Sequence, residues 1–179
     1  MMMSAGDKRN IILCGFMATG KSSVGRRLAE IVHYDFLDLD IAIEAEAGMS
    51  IPEIFSSRGE PEFRALESRM VDRIAEKTGC VIAAGGGTIV DPQNLDRLQR
   101  RGVIVTLTAD IPTILQRVGK GDDRPMLGEG DRQEKIRVLL QKREHAYSKA
   151  DIIVDTSSLS IDEVARYLLI RLRDFGISP

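Results

Sequence analysis

The stretch Gly15-Phe16-Met17-Ala18-Thr19-Gly20-Lys21-Ser22 has the form G-x-x-x-x-G-K-[ST], and it constrains this chain more than any other feature. The pattern is a phosphate-binding loop where a strand enters it and a helix leaves it. Both flanks comply. Asn10-Ile11-Ile12-Leu13-Cys14 reads as a short buried strand. Val24, Leu28 and Ile31 recur at spacings of four and three, one face of a helix. Backbone N–H groups of the loop and of the helix start then converge on one point and favour negative charge there. Lys21 would reach the β- and γ-phosphates, and the Ser22 hydroxyl would ligate magnesium. The expectation is nucleotide binding; the bland alternative is a structural turn.

Length and composition narrow the setting. At 179 residues, 43% of them hydrophobic and 29% charged, the chain predicts one globular domain with a single good core. A net charge of −2 and the lack of Trp argue against nucleic-acid binding through bulk charge or base stacking. The N-terminal ten residues are too short and polar for a signal peptide, and no apolar run approaches membrane-spanning length. A cytoplasmic protein without membrane contact is expected, with a monomer as the default. Cys14 and Cys80 form no metal-ligand pattern and read as buried free thiols.

Further along, Tyr34 to Asp40 reads as a second strand whose last carboxylates, Asp38 and Asp40, share one face. Beside a phosphate loop, two such acids suit magnesium and a hydroxyl nucleophile; a polar loop entry, with Asp40 capping a helix over 41–47, is the alternative. Ser50, Pro52 and Glu53 make a helix-start signal, Gly59 a break, and Pro61 opens a long helix with Phe63, Leu66, Met70 and Ile74 on its apolar stripe. Arg64 stands at the stripe's edge, and Glu67 could orient its guanidinium; a surface ion pair is the simpler reading of Arg64. A third strand, Cys80 to Ala84, ends in Gly85-Gly86-Gly87, either a tight turn or a close approach of backbone to ligand.

A helix after Asp91-Pro92, a fourth strand Val103 to Leu107 and a helix over 110–118 follow. The segment 119–130, with four glycines, Pro125, Lys120 and Arg124, reads as a lid over phosphates or else a solvated loop. Asp131 starts a helix with Glu134 at the capping-box position. Arg143 falls on that helix's apolar face, costly unless paired, so it either anchors an anionic substrate or snorkels. Ile152 to Asp155 is the fifth strand, and Ser160 with Glu163 opens the closing helix. Alternating strands and helices predict a three-layer α/β/α fold. Together these residues predict a kinase of a small hydroxylated carboxylic acid, Arg64 and Arg143 clamping its carboxylate.

In this order and spacing, Gly15 to Ser23, Asp38-Leu39-Asp40, Phe63-Arg64 with Glu67, Gly85-Gly86-Gly87, Arg124-Pro125 and Lys142-Arg143 resemble the shikimate kinase family over nearly the whole chain. The resemblance implies a nucleoside-monophosphate-kinase-like fold, a five-stranded parallel sheet of order 2-3-1-4-5 with the phosphate loop after the first strand. It implies ATP-dependent phosphorylation of the 3-hydroxyl of shikimate, a step towards chorismate and the aromatic amino acids. Lys21, Asp40 and Arg124 match the catalytic positions. Gly15, Ala18, Thr19, Gly20, Lys21, Ser22, Ser23, Arg117 and Arg124 match the ATP-binding ones, Arg117 packing on adenine. Asp40, Arg64, Gly85, Gly86, Gly87 and Arg143 match the shikimate-binding ones. Ser22 and Asp38 match the magnesium site, Asp38 through water. A substrate-binding subdomain over about 40–67 is implied. Two departures stand out. Ala18 occupies a loop position that is often glycine, costing about 1 kcal/mol if its φ is positive. Thr156-Ser157-Ser158 lacks an arginine that some members carry near adenine. The nearest rivals are a kinase of another polyhydroxy acid, such as gluconate, and a non-catalytic nucleotide-binding regulator.

Overall fold

The computed structural model describes residues 9–118 and 130–179. Five strands, β1 (Asn10–Gly15), β2 (Asp35–Asp38), β3 (Cys80–Ala83), β4 (Gly102–Thr108) and β5 (Ile152–Asp155), form one sheet of order β2-β3-β1-β4-β5. All four pairings are parallel. The order explains which strands are wholly apolar. Central β1 and β3 are buried throughout, whereas β2 is half-exposed and β5 alternates buried and exposed residues. The carboxylates Asp35 and Asp155 sit on those two edges, where charge discourages further strand pairing.

Among the described residues, seven α-helices cover the sheet: α1 (Lys21–Val32), α2 (Leu39–Ala47), α3 (Ile51–Ala75), α4 (Pro92–Gln99), α5 (Ile111–Val118), α6 (Arg132–Tyr147) and α7 (Ile161–Leu172). Successive residues of a strand point to opposite faces, so β1 feeds two cores. Ile11 and Leu13 join Val24 and Leu28 of α1 and Val164 and Leu168 of α7. Ile12 and Cys14 join Ile43 of α2, Leu66 of α3, Leu98 of α4, Ile114 of α5 and Ile136 of α6.

The helix starts obey local chemistry, with two corrections. Ser50 and Glu53 form a reciprocal capping box, as do Ser160 and Glu163. Gly59 leaves helical geometry at φ 80 and ψ 170, kinking α3 just before Pro61. The expected second strand is shorter than its pattern. It pairs with β3 only as far as Asp38 opposite Ala83. Asp38 then caps α2, accepting from the Asp40 and Ile41 N–H groups at 3.1 and 3.4 Å. Asp38 and Asp40 are therefore not same-face residues of a strand; Asp40 lies in the first turn of α2. Asp131 caps α6, but the Glu134 side chain pairs with Arg137 instead of returning to the cap. Both cysteines are buried free thiols, and no helix among the described residues is long and apolar enough to cross a membrane.

Candidate active site

All strands run the same way, so Gly15, Asp38, Ala83, Thr108 and Asp155 end along one edge of the sheet. Open α/β sheets bind ligands there. The phosphate loop occupies the centre of this edge. Gly15 needs to be glycine twice over: its φ is 132, and a Cβ would stand 2.1 Å from the Leu107 carbonyl oxygen. Gly20 also has positive φ, at 94, and starts α1 without a side-chain cap, which leaves the first N–H groups of the helix facing outward. Ala18 does adopt positive φ, at 60, so the strain expected of a non-glycine residue there is present. The Phe16 carbonyl braces the loop from inside, accepting from the Thr19 hydroxyl and from the Lys21 ammonium, each at 2.8 Å.

Lys21, Ser22, Asp38 and Asp40 line one cleft of about 300 Å³. The Ser22 hydroxyl donates to Asp38 Oδ2 at 2.7 Å, so the two expected metal ligands are neighbours. Among the described residues, no group of three or more His, Cys, Asp or Glu side chains could hold a metal ion. A hydroxyl beside one carboxylate is a sparse oxygen set, of the kind that suits a magnesium ion keeping most of its waters and leaning on phosphates.

The triple glycine is where the acceptor side comes together. None of the three has positive φ, so conformational freedom does not explain them. Side-chain clearance does. A Cβ on Gly85 would stand 3.1 Å from Asp40 Oδ1 and 3.0 Å from Glu67 Oε1. One on Gly86 would stand 3.0 Å from Arg143 Nη1 and 3.3 Å from the Gly15 carbonyl oxygen. One on Gly87 would stand 2.6 Å from Arg64 Nη1. Residues from α2, α3 and α6 thus converge on one backbone that itself abuts the start of the phosphate loop.

Each cation here is held. Arg64 donates to Glu67 at 2.8 Å and to Glu60 at 3.2 Å. Burial works to lower its pKa, but the charges and hydrogen bonds of Glu67 and Glu60 together outweigh burial and raise it. Glu67 is buried and also accepts from the Thr88 hydroxyl at 2.6 Å. Arg143 is buried as its helical position predicts, with its guanidinium carbon 5.6 Å from the centre of the Phe16 ring. Tyr147, one turn on, donates to the Gly86 carbonyl at 2.6 Å. Burial pushes its phenol up to about 12, so it stays a donor at neutral pH. The sequence pattern gives Tyr147 and Thr88 no site role, because the groups they meet, Gly86 and Glu67, are remote in the chain.

On the other side of the loop, a cleft of about 560 Å³ is lined by Ala18, Thr19, Arg117, Thr156, Leu159 and Ile161 among others. Arg117 donates to the Thr156 hydroxyl at 3.1 Å and carbonyl at 2.7 Å. Lys120, Arg124 and Pro125 lie outside the described residues.

The family model for shikimate kinase matches residues 17–173. The chain belongs to the shikimate kinase family. A shikimate kinase of Caldanaerobacter subterraneus subsp. tengcongensis is 42% identical over 161 residues, covering 90% of this chain and 94% of that one. Among solved structures, the shikimate kinase of Acinetobacter baumannii in complex with shikimate superposes with a TM-score of 0.91 at 33% identity, covering 97% of both chains. A gluconokinase of Sinorhizobium meliloti, with 94% of each chain covered, reaches a TM-score of 0.62 at 17% identity, which is a likeness of fold alone.

Proposed function

We propose that this shikimate kinase transfers the terminal phosphoryl group of ATP to the 3-hydroxyl of shikimate, on the route to chorismate and the aromatic amino acids. The convergence of Asp40, Arg64 and Arg143 on Gly85 to Gly87, against Gly15 of the phosphate loop, carries this reading. It supports a carboxylate clamp and a hydroxyl-binding carboxylate close to the phosphate loop. A gluconate kinase would need the same phosphate loop and could grip its own carboxylate with the same guanidinium pair, so membership of the shikimate kinase family is what favours shikimate.

Phosphoryl transfer asks a protein mainly to align the attacking and leaving oxygens and to stabilise charge. The loop N–H groups and Lys21 hold the β- and γ-phosphates. Lys21 gives up its contact with the Phe16 carbonyl when a phosphate arrives, exchanging a neutral acceptor for an anion. Ser22 and Asp38 would hold Mg²⁺, which neutralises phosphate charge when bound. Asp40 receives the acceptor hydroxyl in hydrogen-bond distance and orients it, and in a loose transition state its proton leaves late. Arg64 and Arg143 grip the carboxylate in fork geometry. Arg117 packs on adenine, Arg124 supplies charge from the lid, and residues 40–67 hold the acceptor. The reading includes a cytoplasmic monomer. Phosphorus NMR of the product tests it: a monoester resonance coupled to the ring proton at carbon 3 is expected, and a phosphate on another hydroxyl would overturn it.

A further inference from the structure

Thr156 is the residue immediately after β5, and only 3% of it is exposed. Its backbone N–H donates to the Thr108 carbonyl at 2.8 Å. Its hydroxyl lies 3.0 Å from that same carbonyl and 3.1 Å from the carbonyl of Thr19 in the phosphate loop. A hydroxyl has one proton to give and two lone pairs. The Thr108 carbonyl already receives the N–H, and the hydroxyl proton is shared between that carbonyl and the one of Thr19. The lone pairs then receive Arg117 Nη1 at 3.1 Å, while the Thr156 carbonyl receives Nη2 at 2.7 Å. Arg117 Nη1 reaches the Ala18 carbonyl as well, at 3.3 Å.

Both terminal nitrogens of Arg117 are thereby tied down, and the plane of its guanidinium is set. Among the described residues that line this cleft, Arg117 is the one cation. A guanidinium stacks on a flat aromatic base only when its plane is presented correctly. We propose that Thr156 is a positioning residue for the nucleotide, its hydroxyl locking the Arg117 plane to the phosphate loop so that base and phosphates are held in one register. The inference rests on reading the loop as the ATP site, and it goes beyond that reading in assigning Thr156 a role.

Calorimetric titration with ADP tests it without requiring turnover. Thr156→Val keeps the shape and removes the hydroxyl. It is expected to weaken ADP by about tenfold, the loss of roughly one hydrogen bond to a charged group. Thr156→Ser is expected to bind ADP within about twofold of the parent, since it keeps the donor and acceptor. Arg117→Met weakens ADP by itself, and adding Thr156→Val to it costs no more than about twofold further, because the two residues act as one unit. The KM for shikimate stays unchanged in Thr156→Val. Should valine not fold, Thr156→Cys keeps the size and weakens the hydrogen bonds, and the same pattern is expected in milder form. Parental ADP affinity in Thr156→Val or Thr156→Cys would overturn the proposal, and so would a full independent loss in the double variant. A parent that binds ADP but leaves shikimate untouched would instead refute the acceptor assignment, with the Thr156 result standing by itself.

Discussion

Gly85, Gly86 and Gly87 are glycine because of what their neighbours occupy. The obstacle to a side chain differs at each glycine of the site, and so does the expected damage. At Gly15 the obstacle is backbone, the Leu107 carbonyl, which cannot move without breaking the β1–β4 pairing. At Gly87 it is the mobile end of Arg64, which can swing aside. Gly87→Ala should therefore fold and melt normally but lose its carboxylate grip. We expect the KM for shikimate to rise about tenfold, some 1.4 kcal/mol of binding, with the KM for ATP little changed in steady-state kinetics. Equal effects on both substrates would show that the loop does not serve the acceptor. Sequence alone flagged the triple glycine and offered a tight turn or close backbone approach. It could not choose, because the crowding atoms come from Arg64 and Arg143, far apart in the chain. The family resemblance, in contrast, marked Ala18 as a position often glycine, with a cost conditional on positive φ, and its φ is 60.

Secondary-structure elements were legible in proportion to how local their causes are. Helix α3 starts at Ser50 because Ser50 and Glu53 satisfy each other's backbone, a signal contained in four residues. Ser50→Ala should lower stability by about 1 kcal/mol in urea unfolding, with kcat unaffected; a neutral result would mean that packing, not the cap, holds the helix start. The β2–α2 junction was misread for the opposite reason. Its hydrophobic pattern continues to Leu39, but β2 stops where β3 offers no further partner, and that is a property of another segment. Asp38 then serves as cap and as partner of Ser22, and Asp40 is delivered by the first turn of α2. Thr156 entered the sequence reading only within a stretch that lacks an adenine-side arginine; its own role was not legible there, because it depends on Thr19 and Arg117, both remote in sequence.

In the whole molecule, strand alternation and the family resemblance together anticipated the sheet order and its two covered faces. One consequence of the deep packing is thermodynamic. Cys14 lies fully buried at the end of β1, and burial lifts its thiol from the usual 9.0 to about 12. The folded chain holds that proton over a range where the unfolded chain releases it. Stability is complete below pH 9 and declines as pH rises towards 12. At pH 10.5 the thiol should have cost about 2 kcal/mol relative to pH 8. Cys14→Ala removes this component, so its urea midpoint should fall less steeply with pH than that of the parent; identical slopes would refute the burial argument. The fold nonetheless matters most for what it gathers at the strand ends, a phosphate loop facing the proposed carboxylate clamp. The most direct test of that pairing is ADP release in a coupled assay on the purified protein. ADP should appear only with shikimate and Mg²⁺ both present, and gluconate should not substitute. ADP release that is indifferent to shikimate would contradict it.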